Sequence, residues 1–516
     1  MNILKSKMPD VEIPETNVAA YVLRHADRLA EKAAFIEGAS GRTVTYGELK
    51  KQVQSFAGGL KAKGVGPGTT WALMAPNLPE YATVFMGIAW AGATVTTLNP
   101  TYGAEEVATQ LKDSKARAIV TIGLFLEVAK AAAKEAGIEE IYVIGEGDAT
   151  SFTTLFGEPL VDPVPVNPKE DIVVLPYSSG TTGFPKGVML THYNLVANLC
   201  QNEIHIPVDE QDTMFAVLPF FHIYGMVVIM GHTLANGGTA VTVPRFDMVQ
   251  MLELVQQHKV TVLFLVPPIV LALAKHPVVE KYDMSSVRLI FCGAAPLSGE
   301  LGEAAAKRVG CDVAQGYGMT ELSPVSHGVL PGENKPGSVG TLLANTELRL
   351  VDPESGKDLG FGTDAAGEVW IRGPQVMKGY FGHESATAST IDGDGFLHTG
   401  DIGVVDSDGH LFIVDRLKEL IKYKGFQVPP AELEALIVNM PGVADVAVIG
   451  IPDDEAGELP KAFVVKSPDS AVTEDGIKDE VAKHVATYKK LHAVEFIDAI
   501  PKSASGKILR RELRAR

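Results

Sequence analysis

The chain has 516 residues and a mass of 55.0 kDa, too long for one compact core, so two to four structural units are expected. Hydrophobic residues make up 46% and charged residues 21%, which excludes wholesale disorder. Lys and Arg number 45 against 63 Asp and Glu, a formal charge of −18, so the basic footprint of a nucleic-acid binder is missing.

Cys200, Cys292 and Cys311 are the cysteines. They make no disulfide framework and no C-x-x-C pair, which points to a reducing, cytoplasmic compartment. The first residues, MNILKSKMPDVEIPE, have no apolar signal region, and the final Arg-Ala-Arg is not a peroxisomal address. Mean hydropathy is +0.13. The uncharged run 81–98 carries Gly87, Gly92 and several threonines, and 260–274 is broken by Pro267 and Pro268. Neither reaches the ~20 strongly apolar residues of a spanning helix.

In chain order, the spacing predicts a helix over 49–62, a strand over 70–75 and a helix over 80–91. Strands follow over 118–122, 141–144 and 172–177, with helices between the first of these. Further on come a strand over 239–243, a helix over 249–258 and a strand over 262–265. That alternation argues an α/β fold with parallel-rich sheets. Over 337–372 short strands with Gly and Asp turns predict an antiparallel β subdomain. A boundary falls near Asp415, dividing 1–415 from 416–516. The second part begins with the basic cluster RLKELIKYKG. A small α+β pattern follows: helix 431–440, strands 443–451 and 462–465, helix 476–484, strand 493–497.

The most informative segment is Ser178, Ser179, Gly180, Thr181, Thr182, Gly183, Phe184, Pro185, Lys186 and Gly187, directly after an apolar strand. Its glycines let backbone N–H groups converge on an anion, and its hydroxyls and lysine add donors to phosphate oxygens. It is not a Walker A loop, because Pro185 precedes Lys186 where that motif needs Gly. Thr320 and Glu321 follow a Gly-Tyr-Gly turn, where a hydroxyl suits a phosphate oxygen and a carboxylate suits Mg²⁺. Tyr317 is placed to stack on adenine.

The decapeptide resembles the signature loop of the adenylate-forming superfamily of acyl-CoA synthetases, luciferases and peptide-synthetase adenylation domains. The resemblance recurs at Gly316-Tyr317-Gly318-Met319-Thr320-Glu321, at His398-Thr399-Gly400-Asp401, at Asp415 to Lys422 and at Ser505-Gly506-Lys507. The segments FFHIYG at 220–225 and YKGFQVPPAE at 423–432 look most like 4-coumarate–CoA ligases and their bacterial relatives.

The resemblance implies a large N-terminal domain and a small mobile C-terminal one. It also implies an AMP-forming acid–CoA ligase with ATP, Mg²⁺ and coenzyme A, probing no nucleic acid and spanning no membrane. It assigns Ser178 to Gly183, Lys186, Gln315, Gly316, Tyr317, Thr320, Asp401 and Arg416 to the nucleotide, and Glu321 to the metal. Gly293, Ala294 and Ala295 would border the nucleotide. Lys507 is the adenylation lysine, a point charge that bridges acyl carboxylate and α-phosphate. His222 is a gate beside the carboxylate rather than a base, since a carboxylate is already ionised at neutral pH. Lys418 is the hinge. Lys422 and Gln427 form the face that replaces Lys507 in the thioester step, and Arg245, Lys424 and Gly425 contact CoA. His222, Tyr224, Val228, Phe291, Ala294, Gly318, Pro324 and Val325 wall the acyl pocket. Position 228 is often Ser in plant ligases and 291 often Lys, so Val228 and Phe291 remove polar handles. Cinnamate-type or medium-chain acids then become as plausible as 4-coumarate. The rival readings are a long-chain fatty acyl-CoA ligase, a luciferase-like monooxygenase and a non-catalytic nucleotide-binding module.

Overall fold

The computed structural model describes the chain except residues 179–184, 331, 334, 363–365, 425, 454, 469 and 504–505. Among the described residues, four sheets carry the architecture. One has nine strands, in the order Tyr177–Ser178, Lys186–Thr191, Ile172–Leu175, Thr94–Thr97, Thr70–Met74, Ala116–Ile122, Glu140–Ile144 and Thr150–Ser151, with Gly379–Tyr380 added beside Lys186–Thr191. A second nine-stranded sheet runs Thr341–Leu342, Val325–Gly328, Asp312–Gly318, Leu289–Cys292, Val262–Leu265, Thr213–Ala216, Thr239–Thr242, Ala33–Glu37 and Thr43–Thr45. Its central strands pair in parallel and its edges antiparallel.

The sequence explains this choice. Leu289–Cys292 reads LIFC and Val262–Leu265 reads VLFL, and every residue of both is buried. Continuous apolar strands need cover on both faces, which parallel sheets flanked by helices provide. Pro79–Trp90 is buried at every position except Glu80 in its first turn, so the uncharged run 81–98 is core helix followed by core strand. Pro267 and Pro268 do not break a segment. They open the helix Pro267–Lys275 at its first positions, where a missing N–H costs nothing.

The β subdomain is larger than 337–372. Leu4–Lys5, Glu347–Val351, Gly367–Arg372, Leu397–Val405 and Leu411–Arg416 form one antiparallel sheet, so a strand from the start of the chain closes its edge. The last sheet joins Phe426–Val428, Ile421–Tyr423, Gly457–Lys466 and Val443–Asp453 antiparallel, with Ala493–Phe496 parallel to Gly457–Lys466. The main apolar core runs from Val18 to Leu411. Separate smaller cores begin at Ile421 and end at Leu513.

Between them the chain is tied at several points. Asp415 accepts the Ala431 N–H at 2.9 Å, at the start of the helix Pro430–Val438. Asn439 donates to Glu300 at 2.9 Å. Within the C-terminal part itself, Arg510 bridges Glu419 at 2.8 Å and Glu434 at 2.6 Å, all with largely buried side chains. Gly506, at φ +81°, packs against Val266 at the end of Val262–Leu265. Among the described residues no helix is long and apolar enough to cross a membrane.

Candidate active site

A cavity of about 620 Å³ opens where the parallel strands end, the usual ligand position in such sheets and a usual ligand-pocket size. Thr97, Pro176, Tyr177, Ser178, Phe291, Gly293, Ala294, Gly316, Tyr317 and Gly318 reach it from the two large sheets. Lys418, Ser503 and Lys507 reach it from the C-terminal side.

One end is apolar. Tyr224 lies on a π-helix, Tyr224–Gly231, that helical periodicity does not announce. Its hydroxyl donates to the Phe291 carbonyl at 3.0 Å, and its ring meets Phe264 edge-on, which in turn meets Phe291. A Cβ on Gly316 would come within 2.5 Å of the Phe291 ring, so this glycine makes room for the phenylalanine. Gly318 is needed for a different reason, since a Cβ there would lie 2.0 Å from the Pro324 carbonyl oxygen. Ala294, Pro324 and Val325 complete the wall. Val228 is fully buried on the π-helix but does not line the cavity.

His222 sits between the apolar end and the charged one. Burial, reinforced by the charge of Lys507, lowers its pKa to about 4, so it is neutral near pH 7. The Tyr224 N–H donates to its Nδ1 at 3.3 Å, which leaves the proton on Nε2. A neutral imidazole with an Nε2–H offers a carboxylate a hydrogen bond, not a base.

At the charged end, Thr320 and Glu321 lie in a short 3₁₀ turn, and both line the cavity. Glu321 is 3% exposed. Lys507 also reaches the cavity, and its pKa is lowered to about 8, first by burial and then by the charge of Arg416. Its turn is fixed by Lys507 N–H donating to the Ser503 hydroxyl and Ser503 N–H to the Lys507 carbonyl.

Tyr317, Asp401 and Arg416 are layered. The Tyr317 hydroxyl donates to Asp401 at 2.6 Å, and Arg416 pairs with the other oxygen at 3.2 Å. Asp401 therefore stands behind Tyr317, and burial raises its pKa against the pull of Arg416. Gln315 is not on the cavity. Its amide is bonded at both ends to the Leu297 backbone, so it holds the 293–297 turn. Ala294 in that turn adopts φ +69°, a strained angle for a residue with a Cβ.

Two family models match the chain: AMP-binding enzyme over residues 22–381, and AMP-binding enzyme C-terminal domain over 432–507. The chain belongs to the AMP-binding enzymes. It is 45% identical to 4-coumarate–CoA ligase 1 of Petroselinum crispum, covering 100% of this chain and 96% of that one. Among solved structures, an anthranilate CoA ligase in complex with anthranoyl-AMP superposes with a TM-score of 0.90 at 29% identity, over 98% of each chain. MatB from Rhodopseudomonas palustris superposes at 0.88 in its ATP-bound form and 0.78 in its apo form, both at 29% identity and over 97% of this chain and 98% of that one.

Within this AMP-binding enzyme the sequence-derived residues divide into groups. Ser178, Lys186, His222, Tyr224, Phe291, Ala294, Gly316, Tyr317, Gly318, Thr320, Glu321, Pro324, Val325, Arg416, Lys418 and Lys507 share one cavity. Lys422, Lys424 and Gln427 are exposed and away from it, as is Arg245 in the turn before Met248–His258. Ser179, Gly180, Thr181, Thr182, Gly183 and Gly425 lie outside the described residues.

The residues fit Mg²⁺ in one way. Glu321 supplies a buried carboxylate on the cavity, and among the described residues no cluster of His, Cys, Asp or Glu forms an all-protein cage. That suits an ion held by one carboxylate and by substrate phosphates.

Sequence reasoning missed Glu368 and Tyr380 and gave His398 no role beyond its motif, and all three line the cavity. Glu368 accepts the Gly400 N–H at 3.0 Å and the Trp370 indole at 2.9 Å, shaping the turn before Asp401. His398 stacks on Trp370 at 3.5 Å. The strand GEVWIRG carried the signal, because a Glu-x-Trp alternation puts both side chains on one sheet face.

Proposed function

We propose that this ATP-dependent acid–CoA ligase acts on cinnamate-type aromatic acids, through an acyl-adenylate formed and consumed in one cavity. The observation that carries the reading is the meeting of Lys507, Thr320, Glu321 and neutral His222 beside an aromatic-walled pocket. The 45% identity to a 4-coumarate–CoA ligase supports it.

In the first step the substrate carboxylate oxygen bonds to the α-phosphorus of ATP, and the bond to pyrophosphate breaks. The His222 Nε2–H orients the carboxylate. Thr320 donates to an α-phosphate oxygen, and Lys507 sets its charge between carboxylate and phosphate as charge builds there. Ser178 and Lys186, with 179–184, hold the phosphate tail. Glu321 would hold Mg²⁺, which neutralises phosphate charge when bound. Tyr317, Asp401 and Arg416 set the nucleoside. In the second step the CoA sulfur bonds to the acyl carbon, AMP leaves, and the thiol proton passes to solvent.

Division at 415/416, with rotation about Lys418, belongs to the same reading. It is supported by the separate apolar cores and by the better fit to ATP-bound than to apo MatB. Lys507 in the cavity with Lys422, Lys424 and Gln427 outside is what the adenylation arrangement requires. The thioester arrangement would exchange them, with Gly425 and Arg245 beside CoA. A cytoplasmic location accords with the unpaired cysteines.

Substrate choice follows from the apolar end. The Tyr224 hydroxyl is already engaged by a backbone carbonyl, and Phe291 replaces a polar handle. A phenol buried there without a partner costs ~1–3 kcal/mol, or about ten- to a hundred-fold. Measuring kcat/KM for cinnamate, 4-coumarate and caffeate tests this. Cinnamate should match or exceed caffeate; a tenfold preference for caffeate would contradict the apolar assignment.

A further inference from the structure

Tyr380 has no place in the roles above, yet it touches two of their residues. Its hydroxyl donates to Glu321 Oε1 at 2.9 Å. The Lys186 Nζ stands over its ring, 5.7 Å from the centroid. We propose that Tyr380 is a positioning residue that fixes the metal-facing carboxylate of Glu321 and the phosphate-facing ammonium of Lys186 relative to one another. The inference rests on the reading that Glu321 faces Mg²⁺.

The surroundings are built for this. Gly379–Tyr380 pairs with the strand Lys186–Thr191, Val188 opposite Tyr380. The Phe381 N–H donates to the Gly187 carbonyl at 2.8 Å, and the Met377 N–H to the Glu321 carbonyl at 2.9 Å. One short segment thus staples the strand that carries Lys186 to the turn that carries Glu321. Gly379, at φ +147°, lies where a Cβ would meet the Thr387 side chain at 2.7 Å, so the segment is closely seated. Burial, and then the charge of Glu321, raise the phenol's pKa, so it stays a donor at any working pH.

A carboxylate whose one oxygen accepts a fixed hydrogen bond presents the other in a single direction. Such outer partners of metal ligands typically govern 10–100-fold in metal affinity or activity. The ring adds a second restraint, since a lysine ammonium over an aromatic face is held by the ring quadrupole.

The test compares the full-length enzyme with Tyr380→Phe, Tyr380→Met and Glu321→Gln. Two readouts are used: ATP–pyrophosphate exchange against free Mg²⁺, and Mn²⁺ binding to the enzyme–ATP complex by electron paramagnetic resonance. Tyr380→Phe should need about 10–100-fold more Mg²⁺ and bind Mn²⁺ more weakly by a similar factor. Its thioester formation from supplied acyl-adenylate should keep the wild-type rate. Tyr380→Met, which also loses the ring, should in addition raise the KM for ATP at saturating Mg²⁺. The Tyr380→Phe, Glu321→Gln double variant should be no weaker than Glu321→Gln alone. Wild-type metal dependence in Tyr380→Phe beside a shifted Glu321→Gln overturns the proposal alone. Wild-type dependence in Glu321→Gln overturns the metal reading of Glu321, and this proposal with it. Should Tyr380→Phe not fold, the same comparison made with Tyr380→Met decides.

Discussion

Lys507 carries a pH signature that its neighbours set. Its pKa falls from the ordinary lysine value to about 8 because burial and Arg416 both oppose its charge. It is a cation below that pH and neutral above it, and in the proposed mechanism only the cation stabilises the forming adenylate. Adenylation kcat/KM, followed by pyrophosphate exchange, should therefore fall as pH rises through about 8, whereas a lysine at its ordinary pKa would hold its rate to about pH 10. Lys507→Arg keeps its charge across that range. Its lower rate should show no such alkaline limb, and an unchanged limb would assign the titration to another group. The signature residues around Lys507 were legible because their spacing is fixed by chemistry along the chain. Tyr380 was not, because its partners Glu321 and Lys186 are distant in sequence and meet it only through strand pairing. Gln315 shows the opposite limit: its motif position says nothing of the hydrogen bonds that tie its amide to the Leu297 backbone.

Elements decide which side chains reach the cavity. Phe291 leaves the strand Leu289–Cys292 with its ring against Gly316, while Val228, buried on the π-helix, does not line the cavity. Phe291→Lys alone should then shift kcat/KM toward hydroxylated acids by about tenfold. Adding Val228→Ser should change that preference little, measured with cinnamate and caffeate. A large extra effect of the serine would place Val228 on the substrate. The strands were readable as apolar runs and most helices as 3.6-residue patterns. The helix Tyr224–Gly231 could be read only as an apolar helix of no fixed bounds, because it is apolar on every side and so carries no period. The pairing of Leu4–Lys5 with Glu347–Leu348 was hidden for want of any local signal, since two residues cannot display an alternation.

The whole molecule buries several neutral histidines. His192, His205, His222 and His232 are lowered to about 4 and His327 to about 3, in each case chiefly by burial. Between pH 6.5 and these values the unfolded chain binds protons that the native chain does not, so stability falls as pH falls through that window. Each such group contributes about 1.4 kcal/mol per pH unit. Asp415 acts in the opposite sense, since burial raises it to about 6 and the native chain holds that proton longer. The histidines outnumber it. Urea midpoints should drop steeply from pH 7 to pH 5, and His327→Gln, if folded, should flatten the drop; a flat profile in the wild type would contradict the burial of these side chains. The central claim, one cavity serving two half-reactions with Lys507 used in only the first, has a direct measurement. With cinnamate and ATP but no CoA, the wild type should release pyrophosphate and retain cinnamoyl-AMP, and a CoA chase should give cinnamoyl-CoA and AMP by mass spectrometry. Folded Lys507→Ala should form adenylate ~10²–10³-fold more slowly yet convert supplied cinnamoyl-AMP and CoA at close to the wild-type rate. Release of ADP in place of AMP, or equal loss of both half-reactions in Lys507→Ala, would contradict it.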